Sequence, residues 1–466
     1  MRRSARLLLL CFLAGAGCKP TPEPLPSTAQ ASPAHSGPIV LITVEGLRLD
    51  AVGALGGEPG LTPNLDQLAA GASWAGAGIA PSSWAVPSAA SLLTGLRPSQ
   101  HRAMSGLEKN LGAEFLTLAE ALVERGYRCR VYHDSPNLQA AYGYAQGFED
   151  VLAFRRGQRA ALDLRSLGGG PELVWIHLEL PSPPFVRRDL LAAQLPPAPP
   201  DLPRRLGGTY LEAYFDPAVP LPEAERERFW ALYRYNVAAA DAFVGRLLTA
   251  LAASGRDRES LVIFTSLHGQ EFGEHHQIGQ GGHLGRELIE VPLLLRLPAG
   301  FSRPLAVAPG ERVGLTRLWA TVVEAAGGSA PPGTAPSLFR PAEEGTLSEL
   351  LLAAGRNEIS WLSKDLQLRR RSSFADPGAD FYRLRLAAIA DGPQNPARLA
   401  FRGRLEQLHR AFHASPALGR PGEAPELILE RWVDHRAEPV TDPALSQAMA
   451  ERLRDAYLNF SGEGSL

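Results

Sequence analysis

The chain has 466 residues, 45% of them hydrophobic and 21% charged, with a formal net charge of −2. That length suits roughly two to four domains, or one large α/β domain with an appendage, and the composition excludes a fibre or a disordered chain. The near-zero balance removes any general electrostatic reason to bind nucleic acid, and Cys11, Cys18 and Cys129 are too few for a disulfide framework.

The first eighteen residues read as an address. Arg2, Arg3 and Arg6 form a positive head, and Leu7–Ala16 is an apolar run of ten residues. A spanning helix needs ~20, so the run reads as an export signal. It closes on LAGAGC and resembles a bacterial lipoprotein signal, with Cys18 as the lipid-attachment residue that begins the mature chain. Residues 19–37 carry Pro20, Pro22, Pro24, Pro26 and Pro33 among Ser, Thr and Ala, which predicts an extended tether. By the same resemblance, Lys19 after the cysteine points to the outer membrane. The expected location is therefore the cell envelope, with the membrane as partner through the lipid anchor. No nucleic-acid partner is expected, and a protein or glycan partner stays open. Once the leader is removed and Cys18 acylated, Cys129 is the last thiol; inside RCRVYH it reads as buried and inert.

From residue 38 short apolar runs alternate with amphipathic stretches. Ile39–Val44 is a continuous, largely β-branched run, as a buried parallel strand would be. Phe115–Arg125 has helical spacing and leads through Gly126 into the strand-like Arg128–His133. Leu173–Glu179 predicts another strand, Phe229–Leu251 a long helix, and Leu261–Thr265 and Val291–Leu297 two further strands. This alternation predicts an α/β domain over 38–330, with a central mostly parallel sheet flanked by helices. Pro181–Pro203 reads as an irregular surface excursion. Residues 331–466 predict a smaller C-terminal α+β subdomain: loop with short helices over 331–360, an antiparallel hairpin within 361–405, and a closing helix at Pro443–Phe460.

In open α/β sheets, sites form in the loops after the carboxyl ends of strands. The loop after the first strand reads VEGLRLDAVGALGG and is followed by LTPNLDQLAAGA, PSSWAVPSAASLLTGLRPSQH, TLAEALVERGY and NLQAAYGYAQGF. The late strand opens into TSLHGQEFGEHH, and ELIEVPLLLRLP follows. From Pro38 to Gly328 these ordered blocks resemble the sulfatase family of the alkaline phosphatase superfamily. The resemblance implies the layered fold of that superfamily and a hydrolase of sulfate esters. It further implies a divalent cation, usually calcium, held by acidic residues after the first strand and by an Asp–Asn or Asp–His pair after a late strand. The implied nucleophile is a formylglycine made from Cys or Ser at a helix start. An anionic ester repels nucleophiles unless a metal and cationic side chains neutralise its oxygens, so such chemistry needs these groups together.

The sequence departs from that pattern where the chemistry sits. The two acidic positions after the first strand hold Glu45 and Gly46, and the nucleophile position holds Ala85, with Ala89 in place of the motif's Arg. Leu267 stands where the family has a metal-binding Asp, leaving His268 as the one match of that pair. Gln280-Gly281 replaces the family's His-Gly, and Leu180-Pro181-Ser182-Pro183-Pro184 replaces Asp-Pro-His-x-Pro. Loss of a single member of a catalytic set costs orders of magnitude, so loss of most of it predicts no turnover of the family type.

Two functional readings follow. In the first, the protein is a catalytically degenerate, sulfatase-like envelope module that binds or scaffolds and needs no cofactor, with a residual divalent metal left open. In the second, it hydrolyses or transfers a sulfate or phosphate ester through a rebuilt metal site around Glu45 and His268. His275, His276 and His283, with Glu271 and Glu274, could join such a site in the manner of zinc, against surface histidines as the plain alternative. A third reading, a structural envelope protein, gains if side chains such as Leu267 fill the crevice. Ser82, Ser83 and Ser88 are expected to cap or hydrogen-bond within their loop, and His177 to be a satisfied core or crevice residue. Arg48 and Asp50 are expected to pair, and Arg369–Arg371 to be a solvated face.

Overall fold

A run such as Ile39–Val44 persists as a strand only when both its faces are covered, and β1 (Pro38–Glu45) is buried along its whole length. The computed structural model describes residues 34–104, 110–153, 170–183, 185–186, 205–206, 221–274, 278–281 and 284–341, together with strand residues 349–352, 358–363, 366–371, 426–433 and 436–439. Further strands are β2 (Trp74–Ile79), β3 (Arg128–His133), β4 (Asp150–Ala153), β5 (Glu172–Pro181), β6 (Phe185–Val186), β7 (Arg205–Leu206) and β8 (Leu261–Ser266). They are followed by β9 (Glu271–Phe272), β10 (Ile278–Gly279), β11 (Glu290–Arg296) and β12 (Val313–Gly314). Eight of them form one sheet in the order β12-β2-β11-β8-β1-β5-β3-β4. Only β11 runs against its neighbours, β2 and β8; the other pairings are parallel. This is the expected mostly parallel sheet.

Alternation along the strands divides the core between two layers. Ile39 and Leu41 join an apolar cluster with the helices Ala85–Thr94, Leu118–Val123 and Arg317–Ala325. Val40, Ile42 and Val44 face the opposite cluster, built on the helix Glu223–Ala253. Each such side chain contributes about 1.5–3 kcal/mol by leaving water. Glu223–Ala253 is long and apolar enough to cross a membrane by length and composition, and most of its apolar stretch is buried inside this protein.

Local chemistry moves two predicted boundaries. The helix expected from Phe115 begins at Leu118, because Thr117 accepts a hydrogen bond from the Glu120 backbone (3.2 Å) while Glu120 accepts from the Thr117 backbone (2.9 Å). Beyond residue 340, the short helices expected over 331–360 give way to strand. β13 (Glu349–Leu352), β14 (Glu358–Ser363), β15 (Leu366–Arg371), β16 (Glu426–Val433) and β17 (Arg436–Pro439) make a five-stranded antiparallel sheet. Short apolar runs carry too little periodicity to separate the two states. The β14–β15 pair is antiparallel and overlaps the hairpin expected within 361–405, but begins before it, at Glu358. The closing helix at 443–460 and most of the Pro181–Pro203 excursion lie outside the described residues.

Register sets the position of the site. Thr43 lies beside His177 on β5 and beside Thr265 on β8, so the three strands end together. Glu45, the turn after Ser266 and the segment 177–182 therefore meet at one edge, where open α/β sheets carry their ligands.

Candidate functional site

Glu45 is the last residue of β1, and its carboxylate is buried. Oε1 lies 2.9 Å from the Ser135 hydroxyl, which donates to it, and 2.9 Å from His177 Nε2. The direction of the second bond follows from the rest of the chain of contacts. Trp175 Nε1–H donates to Thr43 Oγ1 (2.9 Å), which frees the Thr43 hydroxyl to donate to His177 Nδ1 (2.8 Å). His177 then carries its proton on Nε2 and donates it to Glu45, so every member is satisfied. His177 was expected to be a satisfied core or crevice residue; it is satisfied, and its partner is the candidate ligand itself.

His268 comes to the same carboxylate from the other side. Its Nε2 stands 4.0 Å from Glu45 Oε2, beyond hydrogen-bond reach, and has no partner among the described residues although the ring is fully buried. Nδ1–H donates to the Gly269 carbonyl at 2.7 Å, so the Nε2 lone pair is what faces Oε2. Burial pushes the His268 pKa down, with the Glu45 charge and the Gly269 bond opposing. Burial acts on Glu45 in the other sense. The hydrogen bond from His177, the electrostatic attraction of the two imidazoles and the Ser135 bond outweigh it and hold the carboxyl below the usual range.

The positions flanking this pair are closed. Gly46 has φ +81°, and a Cβ there would stand 3.0 Å from the Ser182 Cα. Its N–H donates to the His268 carbonyl (3.0 Å), and its carbonyl accepts from the Tyr233 hydroxyl (3.0 Å). Leu267 is fully buried in the same apolar cluster as Ala85 and Ala89. Ala85 opens the helix Ala85–Thr94, every residue of which is buried. Ser88, in the first turn of that helix, donates back to the Ser82 carbonyl of the preceding loop (3.0 Å), and the Ser83 hydroxyl is buried with no partner among the described residues. Gln280 Nε2 donates to Ser182 Oγ at 3.4 Å, so these two replacement residues touch each other.

The remaining candidates resolve into structural roles. Arg48 forks onto Asp50, Nε to Oδ1 at 2.8 Å and Nη2 to Oδ2 at 2.7 Å, as expected. It also binds Glu274 at 2.5 Å and lies 5.3 Å from the Trp230 ring centroid, so Glu274 is engaged away from Glu45. The Cys129 thiol is buried, donates to the Ala119 carbonyl (3.5 Å) and is pushed up to about 12 by burial, as fits an inert thiol. His275, His276, His283 and Cys18 lie outside the described residues, as do the side chains of Arg369–Arg371.

The donor set can be compared with what a metal requires. Calcium takes six to eight oxygens and a zinc site at least three protein ligands. Here one carboxylate and one imidazole converge, and one carboxylate oxygen is already taken by two donors. A metal about 2 Å from each free atom would lie almost on the line joining them, which excludes tetrahedral geometry without movement. No group of three or more His, Cys, Asp or Glu side chains able to hold a metal ion occurs among the described residues. The donors among the described residues do not fit the cation that the family resemblance implies.

Residues 38–168 and 196–328 match the sulfatase family model. The chain belongs to the sulfatase family. A curated relative, the multifunctional alkaline phosphatase superfamily protein PehA of Trinickia caryophylli, is 25% identical over 215 residues, which is 40% of this chain. The match spans 39% of that relative's length. Solved structures with the same fold include the phosphonate monoester hydrolase SpPMH of Silicibacter pomeroyi (17% identity, TM-score 0.54, covering 87% of this chain and 99% of that one). BT1596, a 2-O GAG sulfatase, is also similar (15% identity, TM-score 0.54, 88% and 96%). For this sulfatase-family chain, these likenesses establish the layered fold around the mostly parallel sheet.

Proposed function

We propose that this sulfatase-family protein does not carry out the family's ester hydrolysis and serves as a binding or scaffolding module of the cell envelope. The observation that carries the reading is Ala85. A buried methyl group opens the helix where the family pattern requires a nucleophile, and a methyl group forms no covalent intermediate. Ala89 in place of the cationic residue and Leu267 in place of an acidic ligand support it, because the charge of an anionic ester would meet apolar side chains there. The reading includes membrane attachment through Cys18 and the proline-rich tether over residues 19–37, with the outer membrane as location.

The test is turnover by the purified protein of an aryl sulfate, an aryl phosphate and a phosphonate monoester, with calcium, manganese or zinc supplied. The expected result is no rate above the uncatalysed one, and none after Ala85→Cys with maturation machinery present. A rate abolished by His268→Ala overturns the reading. It would favour the second one, an ester hydrolase or transferase with a rebuilt metal site around Glu45 and His268, whose specific support is the unpartnered His268 Nε2 facing Glu45. Metabolic labelling with palmitate, lost in Cys18→Ala, tests the anchor.

A further inference from the structure

The mismatch between the donor set and a divalent cation has a structural counterpart. Glu45 is held by groups from three parts of the chain: its own strand β1 through Thr43, β5 through His177 and Trp175, and the loop after β3 through Ser135. These lie far apart in sequence, and Glu45 is the acceptor on which the connections end. The backbone reinforces the same junction. Ser182 N–H donates to the Glu45 carbonyl (2.9 Å), Leu267 N–H to the Val44 carbonyl (2.8 Å) and Gly46 N–H to the His268 carbonyl (3.0 Å). The ends of β1, β5 and β8 are thus joined by direct protein hydrogen bonds, with Gly46 leaving no room for a second ligand and Leu267 buried beside them.

We infer that a metal-independent clasp has replaced the cation centre: Glu45 is a structural hydrogen-bond acceptor that locks β1, β5 and the loop after β3, and the fold holds without a divalent ion. The clasp makes Glu45 a positioning residue whose charge is dispensable but whose oxygen is not. That separates it from a metal ligand, for which both matter. In Glu45→Gln, the amide oxygen still receives Ser135 and His177. The new NH₂ group faces the His268 Nε2 lone pair across 4.0 Å and can donate to it once the two close by about 1 Å. In Glu45→Ala, His177 Nε2–H and the Ser135 hydroxyl lose their buried acceptor together.

The experiment is thermal unfolding of the purified protein and of these two variants, with and without EDTA and with added calcium or zinc, alongside elemental analysis. The wild-type melting temperature is expected not to move with chelator or metal. Glu45→Gln is expected to melt at or above the wild type, and Glu45→Ala several degrees below it. A wild-type melting temperature that falls in EDTA and recovers with metal overturns the inference. So does stoichiometric metal that is lost in Glu45→Gln, or a Glu45→Ala protein as stable as the wild type. If Glu45→Ala does not fold, the chelator and Glu45→Gln arms decide alone. Turnover is a separate readout: a metal-free protein that hydrolyses esters sinks the degenerate reading and leaves the clasp, and a metal-bound inactive one does the reverse.

Discussion

His177 and His268 are both fully buried against the Glu45 carboxylate, yet only His177 is bonded to it, at 2.9 Å against 4.0 Å. The difference predicts unequal costs for the same substitution. His177→Phe removes one of the two donors to Glu45 Oε1, leaving the Ser135 hydroxyl, and strands the Thr43 hydroxyl proton, at about 1–3 kcal/mol for each unpaired buried group. His268→Phe gives up the bond to the Gly269 carbonyl but also removes an acceptor that had no partner, so its net cost is expected within about 1 kcal/mol. Urea unfolding of the two variants checks the order. A His268→Phe protein that is the less stable of the two would show that Nε2 is engaged in solution.

Acid sensitivity follows from buried histidines away from this pair. His101 is buried between the Ser91 hydroxyl (2.9 Å) and the Ala103 N–H (3.1 Å), and burial pushes its pKa down to about 3. His133 is likewise pushed down by burial, to about 4. Below the unfolded-state value of about 6.5, the unfolded chain binds protons that the folded ring refuses. This contribution is therefore complete above pH ~6.5 and is lost as the pH falls toward the folded value, which is about 2 kcal/mol from His101 at pH 5. Unfolding free energies measured between pH 7 and 5 are expected to decline, and His101→Gln to flatten the slope. An unchanged slope in the variant would refute the assignment.

Much of this arrangement was legible in the sequence and part of it was not. The runs 39–44, 173–179 and 261–265 showed themselves as strands by being largely apolar, and the order of the motif blocks already placed Glu45 and His268 together. The role of His177 was hidden because it depends on register. Only the pairing of Thr43 with His177, 134 positions apart, aims the imidazole at Glu45. One signal was available: Thr43 and His177 are polar interruptions in the apolar middles of two strands, near their carboxyl ends. Ser135 had no such signal, since a serine after a strand is ordinary loop chemistry. Gly46 read as a missing ligand, whereas its positive φ and the nearby Ser182 backbone show a position that cannot carry a side chain without strain.

Restoring an acidic residue at position 267 is expected to injure the protein rather than rebuild a site. The Leu267 side chain lies wholly within the apolar cluster that contains Ala85 and Ala89. Leu267→Asp forfeits that burial and places a carboxyl among groups that cannot bond it, at a cost of about 3 kcal/mol or more. Equilibrium unfolding with and without millimolar calcium measures it. Substantial rescue by calcium would mean that the loops still form a cation site and would count against the clasp.

The seal at Gly46 can be separated into conformation and crowding by comparing two glycines. Gly46 and Gly56 both have positive φ, +81° and +99°, but a Cβ at Gly56 meets nothing within 4 Å while one at Gly46 meets the Ser182 Cα at 3.0 Å. Gly56→Ala therefore reports the left-handed penalty alone, about 1 kcal/mol. Gly46→Ala is expected to cost about 2 kcal/mol or more, because the Ser182 backbone, tied to the Glu45 carbonyl at 2.9 Å, cannot retreat without breaking the junction of β1 and β5. Chemical denaturation of both variants gives the difference. Equal costs would mean that Ser182 yields freely and that the second ligand position is open to a side chain; a larger cost at Gly46 shows it closed by the backbone itself.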